Sequence, residues 1–370
     1  MIRHEEIRFK VLRKGADYAW IFPKENSKPS LRFRPDGEIK MSLQGTFLPY
    51  ALDAGGREMP VDWLADEIQA MLYLNGTPHS LGVVSAATIE ENETNTGLYL
   101  NMEGYDRCWR VRETKTESIL HLSAGTNYLT PVTNLLTACG ITTVFKTPTS
   151  ATLTEDREDW DVGTSNLTII NDLLKEINYK PLWFDSGGAA VLEPKTTPTV
   201  ANVRHVLSTR KKNFRDPRAV DIISIDRRVL SSMDYYNAPN VFVVYCANPD
   251  KSGVMIATAE NANPLSPISI PRRGRRIVEV EEVKNIASQQ ELQKYVDQKR
   301  DKSLMTKEIL TVSTLLYSGF GMEDVVGLQL GEEGDPKFLD AICTETSWDM
   351  PLGVGELMKH KLERVVYNLD

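Results

Sequence analysis

The chain has 370 residues, 41% of them hydrophobic, and a formal net charge of −8. That length allows two or three domains with real cores, and the acidic balance argues against a molecule whose whole surface binds nucleic acid. Cys108, Cys139, Cys246 and Cys343 lie far apart and form no C-x-x-C pair. This excludes a disulfide scaffold or a spaced zinc site and predicts reduced, mostly buried thiols in a chain made in the cytosol. The N-terminal MIRHEEIRFK is charged and has no apolar core, so Sec export is not expected.

The first third reads as β. Strands are predicted at Ile7–Leu12, Leu31–Phe33 and Gly37–Phe47, the last from its alternation. Leu64–Leu74 ends at Asn75-Gly76, a two-residue hairpin signal, with Leu81–Ile89 returning. Glu91–Gly97 reads as a polar turn before an alternating strand around Leu98, Leu100 and Met102. So many antiparallel strands in so short a stretch predict a barrel or sandwich.

Leu122–Phe145 carries no charge, but Asn127, Pro131, Asn134 and Gly140 are poorly suited to hydrocarbon. A helix is predicted there, with Thr130 as N-cap, Pro131 at the first helical position, Gly140 just past the end and Val132, Leu135, Leu136 and Cys139 inward. Glu155–Asp161 is an acidic loop without the D-x-D-x-D-G calcium pattern, so a solvated run ahead of a helix is expected. Thr164 and Ser165 then offer N-caps to an apolar stripe, Leu167, Ile170, Leu173, Leu174 and Ile177, which Lys180-Pro181 ends. Leu182–Phe184 and Ala189–Leu192 flank the turn Asp185–Gly188. A helix laid on a hairpin is a packed platform suited to a scaffold.

The last third returns to β. A strand is predicted at Ile222–Ile225, a hairpin at Asn240–Tyr245 and Val254–Ala259, and strands at Ile277–Val280, Leu310–Leu316, Asp324–Leu330, Phe338–Ile342 and Leu362–Tyr367. Ser288 and Glu291 form a capping box opening a helix over 288–303, with Leu292, Tyr295 and Val296 inward. No internal repeat at short period and no low-complexity linker is evident.

Chemistry leaves little trace. There is no G-x-S-x-G, H-E-x-x-H, Walker A or G-x-G-x-x-G after a strand. His4, His79, His121, His205 and His360 are scattered, and surface or packing roles are expected for them. Neither Asp335, Asp340 and Glu345 nor the acidic loop reads as a raised-pKa acid in an apolar pocket. Arg272–Arg276 (RRGRR) could hold phosphate, but without interleaved aromatics it reads as a solvated turn or an ion-pairing surface. No catalytic, cofactor-binding or metal-binding residue is assigned and no cofactor is expected; the reading is a non-enzyme.

The order of the pieces resembles the baseplate hub, or tail-hub, proteins of bacteriophage tails and phage-like contractile injection particles. The resemblance rests on Lys40–Phe47, Leu81–Val84, Gly104-Tyr105-Asp106, Ala124-Gly125-Thr126 and the helix–hairpin Leu167–Pro194 with Trp183-Phe184-Asp185 and Gly188. It continues through Asn240–Val243, Pro264–Pro267, Gly274–Ile277 and Asp324–Val326, so it spans nearly the whole chain.

The resemblance implies an α+β, mainly antiparallel β fold: two β-barrel-like domains (1–115 and 216–370) around a small α/β domain (116–215), with helix 288–303 in a piece inserted into the second. It implies a homotrimeric virion protein, made in the host bacterial cytoplasm, that joins the six-fold tail tube or a distal tail ring to a three-fold spike, fibre or tip protein. A tape-measure protein and DNA in transit through the channel are the further contacts implied, with no membrane span. The long C-terminal extension of tail-associated hydrolases is not expected beyond Asp370. The alternatives are a tail-associated cell-wall hydrolase or peptidase with dispersed residues, and a nucleic-acid-binding module using Arg272–Arg276.

Overall fold

Strand alternation builds most of the molecule, and tight left-handed turns fix where the strands reverse. The computed structural model describes residues 3–94, 97–210, 218–229, 238–246, 254–283, 286–303, 306–334 and 338–366. β1 (Glu5–Arg13) and β2 (Ala16–Pro23) form a hairpin over Lys14 and Gly15, both at positive φ, the conformation that matches the twist of paired strands. β2 escaped the sequence reading because both of its faces are apolar. Ala19 and Ile21 point inward, while Trp20 lies outward beneath the cations of Arg8 and Lys10.

β3 (Ser30–Phe33), β4 (Met41–Leu52), β5 (Glu58–Met59) and β6 (Glu67–Leu74) follow. Asn75-Gly76, at φ 50° and 84°, turns the chain into β7 (Thr77–Thr94), and β8 (Gly97–Tyr105) returns. The predicted turn at Glu91–Gly97 is instead mostly strand: β7 and β8 stay paired out to Thr94↔Gly97 and form a long arm. Polar side chains suit an arm exposed on both faces, so polarity alone misplaced the turn.

Asp106 caps α1 (Arg107–Glu113), which precedes α2 (Leu129–Ala138), β9 (Val144–Lys146), α3 (Asn166–Glu176), β10 (Trp183–Phe184) and β11 (Ala190–Leu192). α2 begins before the expected cap at Thr130. The Asn127 side chain accepts the Leu129 N–H at 3.0 Å, and Pro131 falls at the third position of the first turn, where no intrahelical N–H bond is lost. Leu135 is half-buried rather than core. α3 starts as predicted, with the Ser165 hydroxyl accepting the Leu167 N–H. β9 adds in parallel to the β10–β11 hairpin.

The remaining elements are β12 (His205–Ser208), β13 (Ala219–Val229), β14 (Val241–Cys246), β15 (Met255–Glu260), α4 (Ile270–Arg273), β16 (Val278–Glu282), α5 (Gln289–Ser303), β17 (Thr306–Leu315), β18 (Val325–Leu330), β19 (Leu339–Pro351) and β20 (Leu357–Val366). Tyr367, placed in the last strand by the sequence, lies outside the described residues, as do residues 247–253. β14, β15 and β16 form a separate sheet whose core face, Phe242, Val244, Ala257 and Ala259, packs on Leu292 and Val296 of α5. Ser288 caps α5, while Glu291 pairs with Lys294.

The chain is α+β and mainly antiparallel β, as expected. Its main sheet has 14 strands and contains two closed circuits of pairing. One runs β1–β2–β4–β8–β7–β6 and back to β1; the other runs β12–β13–β17–β20–β19–β18 and back to β12. Numbered in chain order within each circuit, both follow 1-2-3-6-5-4. They differ at the first strand, since β12 runs parallel to both neighbours whereas the first circuit is antiparallel throughout. β3 pairs with β4 on one side and with β19 on the other, which fuses the circuits into one sheet.

Phe33 of β3 marks that fusion. Its ring stacks on Trp348 of β19 with centroids 5.5 Å apart and meets Trp183 of the helix–hairpin unit edge-on at 6.5 Å. It is 1% exposed. Phe33→Ala is expected to cost about 3–5 kcal/mol of unfolding free energy, read by denaturant titration with no loss from either circuit's outer face.

Candidate functional site

The polar chemistry of this chain is concentrated where the α/β unit joins the two circuits. At the first joint, Glu67 of β6 accepts from Arg107 (2.6 Å) and Arg110 (3.0 Å) of α1. Arg107 also donates to the carbonyl oxygen of Gly188 at the hairpin turn (2.5 Å), and the Ser80 hydroxyl donates to Ser186 O. Gly188 sits at φ 82°, and a Cβ there would lie 3.2 Å from both the Arg107 guanidinium and Val83, so glycine is required twice over.

At the second joint, the Lys180 ammonium, 1% exposed, donates to Glu193 (2.8 Å) and to the Met322 carbonyl oxygen (2.6 Å). Arg204 bridges Glu193 (2.9 Å) and Asp324 (3.0 Å), and Asp324 also accepts the Gly321 N–H (2.7 Å). Burial pushes the Asp324 carboxyl up, but His205, the Gly321 N–H and Arg204 together hold it below its ordinary range. Pairs of this kind fix geometry more than they add stability, because the Lys180 and Asp324 charges have been taken out of water.

The sequence-singled residues fall mostly into such structural work. The Glu155–Asp161 loop is not simply solvated: Arg157 turns inward to Glu176 (2.7 Å), Asp156 accepts the Ala124 N–H and Glu158 meets His121. Arg157 was invisible in a run read for its carboxylates. Arg272 and Arg273 end α4 and Gly274 is its left-handed cap; Arg276 pairs with Glu260 and Arg273 donates to Ala238 O. All four cysteines are buried thiols outside any disulfide, and burial pushes the Cys343 thiol up to about 12. Asp340 pairs with Arg210 at 3.0 Å, and Asp335 lies outside the described residues.

Two histidines pack together, and one carboxylate departs from expectation. His205 and His360, far apart in sequence, both pack against Phe320, with ring centroids 4.3 Å and 4.6 Å from it. Glu345, read as an ordinary carboxylate, is fully buried beside His360 Nδ1, and burial raises its pKa. Glu345 shares the inward face of β19 with Cys343 and Ser347, two residues to either side.

Thr314 Oγ1 lies 2.9 Å from His360 Nε2, so threonine, histidine and glutamate line up as in a nucleophile relay. The hydroxyl, however, donates its proton to Leu315 O at 2.9 Å. It therefore accepts from the imidazole instead of giving its proton up, the reverse of activation. Thr314 and His360 are 0% exposed, so the relay is closed to any substrate and serves as a hydrogen-bonded core of the second circuit.

No protein-family model matches the chain, and no curated protein matches it. Solved structures do. A tail protein from Neisseria meningitidis superposes with a TM-score of 0.62 at 12% identity, over 97% of this chain and 96% of that one. The 43 kDa tail protein of prophage MuSo2 from Shewanella oneidensis gives 0.61 at 12%, over 99% and 100%. Prophage tail protein gp18 from Listeria monocytogenes gives 0.53 at 11%, over 98% and 95%. The chain thus has the fold of phage and prophage tail proteins along its whole length, as the resemblance in its sequence implied.

One group at the first joint titrates in an accessible range. Asp106 accepts the Met41 and Cys108 N–H groups, and burial pushes its carboxyl up to about 6. An ordinary aspartate titrates at about 3.9, so the native state binds this proton first. The contribution is full below about pH 4 and lost as pH rises through about 6. Asp106→Asn is expected to remove up to about 3 kcal/mol of that slope, seen by comparing unfolding free energies of both proteins at pH 4 and pH 7. A pH-independent offset from the lost acceptor leaves the slope difference intact.

Proposed function

We propose that the chain is a structural component of a phage or phage-like tail tip, a homotrimeric baseplate hub joining a six-fold tail tube to a three-fold spike or fibre. The observation that carries this reading is the shared strand order of the two circuits. Two like tiles per chain make six around an axis when three copies close, so one ring answers both symmetries. On this reading the circuits are the two β-barrel domains, divided near residues 105 and 204 by the α/β unit. The two buried joints hold the tiles at a set angle, as a collar requires.

A tube or distal tail ring then meets one face and a spike, fibre or tip protein the other. DNA passes through the channel, for which the net charge of −8 disfavours sticking. Virion location follows from the same assembly. Among the described residues no helix is long and apolar enough to cross a membrane.

The reading predicts a particle of about three times 41.6 kDa in solution, measured by light scattering after size exclusion, and no clearing on cell-wall zymograms. A monomer at high concentration, or clearing abolished by Thr314→Ala, contradicts it.

A further inference from the structure

The shared strand order has an unfilled position. In the second circuit β18 pairs with the fifth strand, β19, only over Leu339–Thr344. The same edge of β19 is then taken by β3 at Trp348–Pro351, since Trp348 and Asp349 pair with β20 on the other side. β3 belongs to the insert that follows the second strand of the first circuit.

In the first circuit β6 pairs with the fifth strand, β7, only over Thr77–Ser85. From Ala86 to Thr94 that edge has no strand partner among the described residues, while β8 holds the other. Against one face of the β7–β8 arm lies a groove of about 480 Å3, lined by Ala86, Ile89 and Leu98 of the arm, Pro49 of β4 and Leu64 before β6 among others. Leu64 is fully exposed and Leu98 38% exposed.

By the common order, the element that answers to β3 is the insert after the second strand of the second circuit, between β13 and β17. Within one chain its strands pair only with one another among the described residues. We propose that the open edge of β7 and its groove take the β13–β17 insert of a second copy of this chain. The proposal rests on the trimeric reading and names the contact that closes the ring.

A contact of this kind is head-to-tail, using two different surfaces, which is the arrangement that generates a closed ring. The signs agree. Glu90, Glu91 and Glu93 are exposed along the open edge, and the insert presents exposed Arg272 and Arg275. Edge charges also deter indiscriminate strand pairing, yet that role gives no reason for an apolar groove beside them. The contact assigns a use to the arginine run, and a strand added at an edge gains main-chain hydrogen bonds as well as side-chain pockets.

The test is the monomer–trimer equilibrium of the full chain by sedimentation, with thermal melting as the check on folding. Leu64→Asp with Leu98→Asp is expected to weaken assembly about tenfold or more while melting is unchanged, because both side chains are exposed. Glu90→Lys with Glu93→Lys, or Arg272→Glu with Arg275→Glu, is expected to weaken it too, and the four changes together to restore it. A trimeric wild type whose groove and charge variants assemble as tightly overturns this inference alone. A wild type that stays monomeric overturns the trimeric reading and this inference with it.

Discussion

The structure depends on two polar clamps that tie a small α/β unit to the circuits on either side. Glu67 with Arg107 and Arg110 holds one joint; Lys180, Glu193, Arg204 and Asp324 hold the other. Around them the aromatic contact of Phe33 with Trp348 and Trp183 supplies the apolar part. Glu67, Lys180 and Asp324 are taken out of water, where an unpaired charge costs several kcal/mol, so each of these pairings constrains how the three parts sit.

The same principle explains where the titratable groups went. A His–Glu pair beside a threonine suggests reactivity until the proton donors are followed. In this fold the hydroxyl faces a main-chain carbonyl, burial raises the glutamate pKa, and the set fills the interior of a closed circuit. The acidic loop likewise closes on Arg157. Polar residues here specify packing.

Much of this was legible in the sequence where local rules act alone. Ser165 and the stripe from Leu167 to Leu174 specified α3, Asn75-Gly76 specified a hairpin, and Ser288 opened α5. What was hidden depended on distant partners. β2 lost its period because Trp20 packs under Arg8 and Lys10, the end of the β7–β8 arm was polar over Glu90–Glu93, and Glu345 found its partner His360 on the neighbouring strand. The repetition of strand order was also invisible, since two circuits can share topology while their side chains diverge and one of them reverses its first strand. The ion pairs at the joints span 40 residues or more in Glu67–Arg107 and 120 in Arg204–Asp324, beyond any spacing argument.

The most direct test of the account is an image of the purified assembly viewed down its axis. The account predicts three copies enclosing a pore, with six similar densities around it. A density without three-fold symmetry, or one in which the two circuits of each chain sit at different radii, would contradict it.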